Sequence, residues 1–307
     1  MSILIEHKLG MKGEMRCILY DPDMSVVQDT GWFDNLIVDN GLEIYETENN
    51  VFRYTYVGTG TTPTVVGMTS MESLIPGGYS STTGNGNGIE VYNGISPYEF
   101  SKTLSRRFLA GVGTGTISEI GIGEDTLGAN IFNRQLVTPS PISKGASQIL
   151  DVIFRLTYYP PIGDTLSSGL TIDGIDYNTI SHGSNYLLLS NVTEVFTGPS
   201  SNQTFWAVYD GDIGATVEDR PSGDGGGGVP AQSSPAYIPG SYYKDFKMSY
   251  SIDAGNPPLG IRSIESVFNS CWMQTQFGDA PAATGNRIPK DNTKEFDITV
   301  RLSWDRH

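Results

Sequence analysis

The chain has 307 residues, a formal net charge of -15 and two cysteines; 38 % of its residues are hydrophobic and 17 % charged. The acidic balance excludes nonspecific nucleic-acid binding, which needs a basic face to neutralise phosphate. No apolar stretch is long enough for a transmembrane helix, and Cys17 and Cys271 lie too far apart in sequence to suggest a disulfide framework or a zinc ribbon.

Gly 37 and Pro 17 exceed the usual combined share, about 12 %. The excess is spread along the chain and marks many turns. The low charge content argues against a coiled coil or a charge-driven disordered chain. The opening Met1-Ser2-Ile3-Leu4-Ile5-Glu6 holds too short an apolar run for a secretory signal, so the expectation is assembly in a cytoplasm with both thiols reduced.

Residues 15–20 read as a buried strand, Asp21-Pro22-Asp23 as a turn, and Val26 to Phe33 as the return arm of a hairpin. Residues 35–46 hold a short helix capped by Asp39 or Asn40. Residues 51–58 are strongly β-prone, and 76–97 read as a Gly/Asn/Ser-rich loop. Strand-like runs follow at 99–109, 115–121, 130–138 and 146–159, the last ended by Pro160-Pro161. Residues 164–240 are irregular, with short apolar pieces at 186–189, 192–196 and 204–209 and a linker-like run at 222–228. Residues 242–252 alternate as a strand, while 260–276 fit either a helix or strands. Phe296, Ile298, Val300, Leu302 and Trp304 alternate strictly with polar residues, the pattern of a strand with one buried face.

The expected fold is mainly all-β: one or two antiparallel β-sandwich domains with long Gly-rich loops and one or two short helices. The expected divisions are a β-sandwich at 1–163, a loop-rich insertion or small β region at 164–240, and C-terminal strands at 241–307 completing the core.

Residues able to carry chemistry are sparse. His7, His182 and His307 form no metal-ligand pair. His182 lies near Asp176 and Ser181, but no Gly-x-Ser-x-Gly elbow exists, and a polar loop is the better account. The Gly58-Thr59-Gly60, Gly111 to Gly115 and Gly121 to Gly123 motifs lack the following helix that would hold a phosphate. Asp210/Asp212, Glu218/Asp219, Asp21/Asp23 and Glu124/Asp125 are paired acids that read as turn residues; glycosidase work or a structural cation are the minority readings. The Asn191 and Asn202 glycosylation sequons read as chance matches without an export signal. No catalytic residue, cofactor or metal is therefore expected.

Several segments together carry a resemblance: Gly31-Trp32-Phe33-Asp34-Asn35-Leu36-Ile37, Val57-Gly58-Thr59-Gly60-Thr61-Thr62-Pro63, Ser118-Glu119-Ile120-Gly121-Ile122-Gly123 and Ile131-Phe132-Asn133-Arg134-Gln135-Leu136. Leu150 to Pro161 and Val300 to Trp304 extend it. In this order they resemble structural proteins of tailed bacteriophages found among neck, collar and tail components. The resemblance covers the first half and the last stretch, not 164–240. It implies a non-enzymatic β-sandwich virion component, present in several copies and contacting copies of itself and other virion proteins. Direct nucleic-acid binding and membrane insertion are not expected. A capsid cement or decoration protein, a host-glycan-binding tail adhesin and a hydrolase remain the alternatives. Tyr79, Tyr92, Tyr98, Tyr237, Tyr242 and Tyr243 lie in or near Gly/Pro-rich stretches and are the candidate interface anchors.

Overall fold

The computed structural model describes residues 2–47, 52–93, 99–159, 165–172, 174–184, 206–216, 219–228, 230–268, 271–278 and 286–307. The first half runs β1 (Ser2–Tyr20), β2 (Val26–Asp29), β3 (Phe33–Ile37), α1 (Asp39–Thr47), β4 (Tyr54–Gly58), β5 (Leu74–Ser80), β6 (Ile89–Asn93), β7 (Glu99–Phe108), β8 (Gly115–Ile117), β9 (Glu119–Gly123), β10 (Ile131–Leu136), β11 (Ile142–Lys144) and β12 (Ile149–Tyr159). The second half runs β13 (Thr165–Ile172), β14 (Ile175–Ser184), β15 (Trp206–Tyr209), β16 (Ala231–Ser233), β17 (Tyr243–Tyr250), β18 (Ser263–Phe268), β19 (Cys271–Phe277) and β20 (Phe296–Arg306). The fold is mainly β, as composition and alternation indicated.

The strand β1 is the spine. Its residues 13–15 pair with both β3 and β12, and residues 10–11 with both β20 and β12. A strand has two edges, so β12 holds one, and β20, β3 and β2 follow one another along the other. Every second residue of β1 is buried, from Ile3 and Ile5 through His7, Leu9 and Met11 to Cys17 and Leu19. The thirteen-stranded sheet then branches outward, through β20, β17 and β16 on one side and through β3, β10, β9, β4 and β5 on another. A third branch runs from β12 through β7 to β6.

A separate five-stranded sheet has the order β13-β14-β19-β18-β15, and β8 with β11 makes a two-stranded one. The run at 260–276 is therefore two strands rather than a helix. Its partners β14 and β15 both precede β17 in the chain, and β17 itself returns to the main sheet.

Trp304 closes the core. Its indole Nε1 donates to Leu42 O at 2.9 Å, Tyr45 packs edge-on at 5.6 Å and Tyr237 stacks at 6.0 Å between ring centres. The helix α1 lies directly on β10 because Gly41 has no side chain: a Cβ there would sit 2.0 Å from Phe132 O.

Where they are described, the Gly/Asn/Ser-rich stretch at 76–97 and the linker-like run at 222–228 are hydrogen-bonded to their neighbours. Residues 76–97 contribute to β5 and contain β6, and Gly84 N donates to Ser105 O while Gly88 N donates to Thr103 O. At 222–228, Ser222 N donates to Asp212 O, Gly226 N donates to Val208 O, and Gly227 O accepts from Gly255 N. Glycine run composition signals a flexible linker only when nothing neighbouring bonds its backbone; here the main chain of Val208, Asp210, Asp212, Gly255 and Asn256 does.

Candidate functional site

Three of the segments that carried the resemblance, 57–63, 118–123 and 131–136, come together around a buried ion pair. Glu119 opens β9 and Arg134 lies in β10, and both are fully buried. Arg134 Nε donates to Glu119 Oε2 at 2.5 Å, its other nitrogens to Glu72 Oε2 at 2.9 Å and Thr62 O at 2.9 Å. The Glu119 carboxylate also accepts from the amides of Gly60, Glu72 and Ser73. The Gly58-Thr59-Gly60 turn thus wraps a carboxylate of its own chain. A Cβ on Gly58 would meet Glu119 Oε1 at 2.3 Å, which explains the glycine without any phosphate. Buried charges need such pairing and hydrogen bonding to be tolerated.

The paired acids are similarly engaged. Asp210 Oδ1 accepts from Asp224 N at 2.8 Å, Asp212 Oδ1 from Arg262 Nε at 2.8 Å, and Asp219 Oδ2 from Thr216 N at 3.1 Å. Asp21 accepts from Gln148, Asp23 from Ser25 and Asp125 from Leu127 N. Glu218 lies outside the described residues. Asp176 and Ser181 sit on β14 at an odd spacing, hence on opposite faces, so no triad forms there. Among the described residues no group of three or more His, Cys, Asp or Glu is placed to hold a metal ion, and no helix is long and apolar enough to cross a membrane.

The six candidate interface tyrosines fall into separate places. Tyr79 is exposed on β5 and meets Tyr54 edge-on at 5.8 Å. Tyr237, Tyr242 and Tyr243 gather beside β17 and β20. Tyr237 stacks on Trp304 and accepts from Tyr242 N, and burial pushes its hydroxyl up to about 12. Tyr242 takes a left-handed φ of 51° and packs on the core, and Tyr243 lies 3.8 Å under the Arg301 guanidinium. Tyr92 belongs to β6, with its side chain outside the described set, and Tyr98 lies outside the described residues altogether.

A cleft of about 500 Å³ opens on the outward face of β1, β12, β7 and β6. Strand register builds it in rows. One row is Glu14, Arg155, Thr103 and Ile89; the next is Lys12, Thr157, Ser101 and Val91. The floor is sunk, with Ile153 7 % and Thr157 4 % exposed, whereas Ile89 and Val91 on the rim are each 54 % exposed. The opposite wall is Trp32, whose ring centre is 4.3 Å from the Arg155 guanidinium carbon. Arg155 in turn holds Glu14 at 2.7 Å, and Tyr159 stacks on His307 at 3.8 Å between ring centres.

The charges in the cleft are interleaved. The Asp34 carboxylate, by its hydrogen bond, raises the Lys12 ammonium above its ordinary value, and Asp29 does the same for the Arg16 guanidinium. Burial raises the Tyr159 hydroxyl. Sequence reasoning did not single out this site. The available signal was β12 itself, where Ile153, Arg155, Thr157 and Tyr159 occupy the face opposite the core and mix apolar, charged and aromatic groups.

No family model, curated protein or solved structure matches the chain.

Proposed function

We propose that this chain is a non-enzymatic structural subunit of a tailed-phage virion, at a neck, collar or tail, working by symmetric assembly with copies of itself and other virion proteins. The observation that carries the reading is the Glu119–Arg134 network. Three of the segments behind the resemblance meet there, at a buried ion pair that pins the 59–73 loop to the sheet. Residues that serve architecture in this way suit a scaffold rather than a catalyst. The engagement of the paired acids by cations and backbone amides supports the same reading. The exposed Tyr79 on β5 and the Tyr243–Arg301 stack offer the rigid aromatic and guanidinium surface that subunit contacts favour.

Sedimentation velocity and negative-stain imaging of the purified chain test this. The expected result is a closed symmetric oligomer whose formation weakens in Tyr79→Ala. A chain that stays monomeric at all concentrations and does not associate with purified phage particles overturns the proposal. Copy number in the virion separates a ring of limited size from a capsid cement protein distributed over the shell.

A further inference from the structure

We propose that the cleft on β1, β12, β7 and β6 is a binding site for a neutral oligosaccharide. The inference stands on the cleft alone and does not depend on how the subunit assembles. The volume, about 500 Å³, lies within the range of small-ligand sites, roughly 300–1,000 Å³. Its chemistry selects among ligand classes.

The floor carries the hydroxyls of Ser101, Thr103 and Thr157, donors and acceptors on neighbouring strands. A purely apolar ligand would strip water from them and return no hydrogen bond. An anionic ligand would face Glu14 and Glu99, and a cationic one would face Lys12, Arg16 and Arg155. With both signs interleaved, no single-sign partner gains from the site as a whole. A sugar hydroxyl both donates and accepts, so it satisfies carboxylate, guanidinium and threonine alike. Charge-assisted bonds of this kind are the stronger ones.

Trp32 supplies the remaining element. It is 36 % exposed and held in place by Arg155, which itself is fixed by Glu14. A rigid, partly exposed aromatic ring beside polar groups offers an apolar surface to the C–H face of a pyranose at low entropic cost. Ile89 and Val91 form the opposing lip, where exposed apolar side chains on an edge strand gain from being covered.

The test uses the full chain and defined probes: neutral hexasaccharides of the malto, cello, laminari and chito series, an oligogalacturonate as acidic sugar, and polyglutamate as acidic peptide. Binding is read by calorimetry and by the indole N–H resonance of Trp32, assigned through Trp32→Phe. The expected result is that at least one neutral oligosaccharide binds and moves the Trp32 resonance. Trp32→Ala then weakens it by about tenfold or more with the thermal midpoint retained. Ser101→Val, which removes a floor hydroxyl without touching Trp32, weakens it too. The proposal is overturned if no neutral probe binds, or if one binds without moving Trp32. It is equally overturned if only the acidic sugar or peptide binds. Conversion of an oligomer to monomers by Trp32→Ala, with no sugar bound by the parent chain, also overturns it and assigns the face to a second copy.

Discussion

Arg134 Nε and Glu119 Oε2 lie 2.5 Å apart with neither side chain exposed to solvent. The pair joins adjacent strands of the main sheet, and its spare atoms reach across to a loop that contributes no strand of its own at 59–73. Removing one partner of a buried pair leaves the other charge stranded, typically at a cost of about 3–5 kcal/mol. Arg134→Ala should destabilise the chain by that amount in urea unfolding. It should also speed amide exchange at Gly60 and Ser73, whose N–H groups bond to Glu119. A loss below about 1 kcal/mol, the usual value of an exposed pair, would sink the structural role given to this network.

Gly41 offers a test in which the sign reverses. Within a helix, Gly→Ala ordinarily stabilises by about 0.5–1 kcal/mol. Here the added Cβ meets Phe132 O at 2.0 Å, and that oxygen is backbone and cannot rotate away. Gly41→Ala should therefore destabilise, by about 1–3 kcal/mol or more, as α1 is pushed off β10. Thermal unfolding measures it; an unchanged or raised midpoint would mean that the helix does not rest on the sheet this closely.

His7 makes stability depend on pH. Burial in β1 lowers its imidazole to about 4, against 6.5 in an unfolded chain. Between these values the unfolded state binds a proton that the native state does not, so stability falls as pH drops through this window. The contribution is constant above about pH 7 and amounts to on the order of 3 kcal/mol at the acid end. His7→Leu lacks it. The difference in unfolding free energy between the two chains should change in the variant's favour from pH 7 to pH 4.5. Parallel curves across that range would contradict a buried neutral histidine.

Cys17 is enclosed in β1, and desolvation raises its thiol far above the ordinary range. Only the thiolate reacts readily with alkylating agents. Iodoacetamide at pH 8 should leave Cys17 unmodified in the native chain and modify it fully in urea, as read by peptide mass mapping. Rapid native labelling would show that β1 opens locally.

The legibility of the sequence varied with the pattern each strand carries. β20 was plain, because Phe296 to Trp304 alternates without interruption. Only the last six residues of β1 were read as a strand, although it extends from Ser2. Its earlier part places His7 in an otherwise apolar register and includes Gly10 and Gly13. Both glycines sit close to side chains from distant parts of the chain. A Cβ on Gly10 would meet the His307 side chain at 3.2 Å, and one on Gly13 would meet Phe154 at 3.2 Å. Neither neighbour is visible from local sequence. The helix at 39–47 was legible from its caps and its acidic first turn. The cleft was not, because its rows join residues from four strands widely separated in the chain. Cross-strand neighbours are set by register, and register is not written in any one segment.

The parallel pairing of β1 with β20 also bears on how the molecule is made. Glu6 and Arg301 pair across 295 intervening steps of chain. At synthesis rates of about 5–20 residues per second, residues 2–9 wait on the order of 15–60 seconds before their partner strand emerges. During that interval β12 can dock on the later half of β1, but the earlier half presents a bare edge with Ile3, Ile5 and Leu9 uncovered. Such an edge is a template for pairing with another nascent chain. Lys8 and Glu6, alternating with those apolar residues, place charge along it, a device that discourages edge-to-edge association while the true partner is still to come.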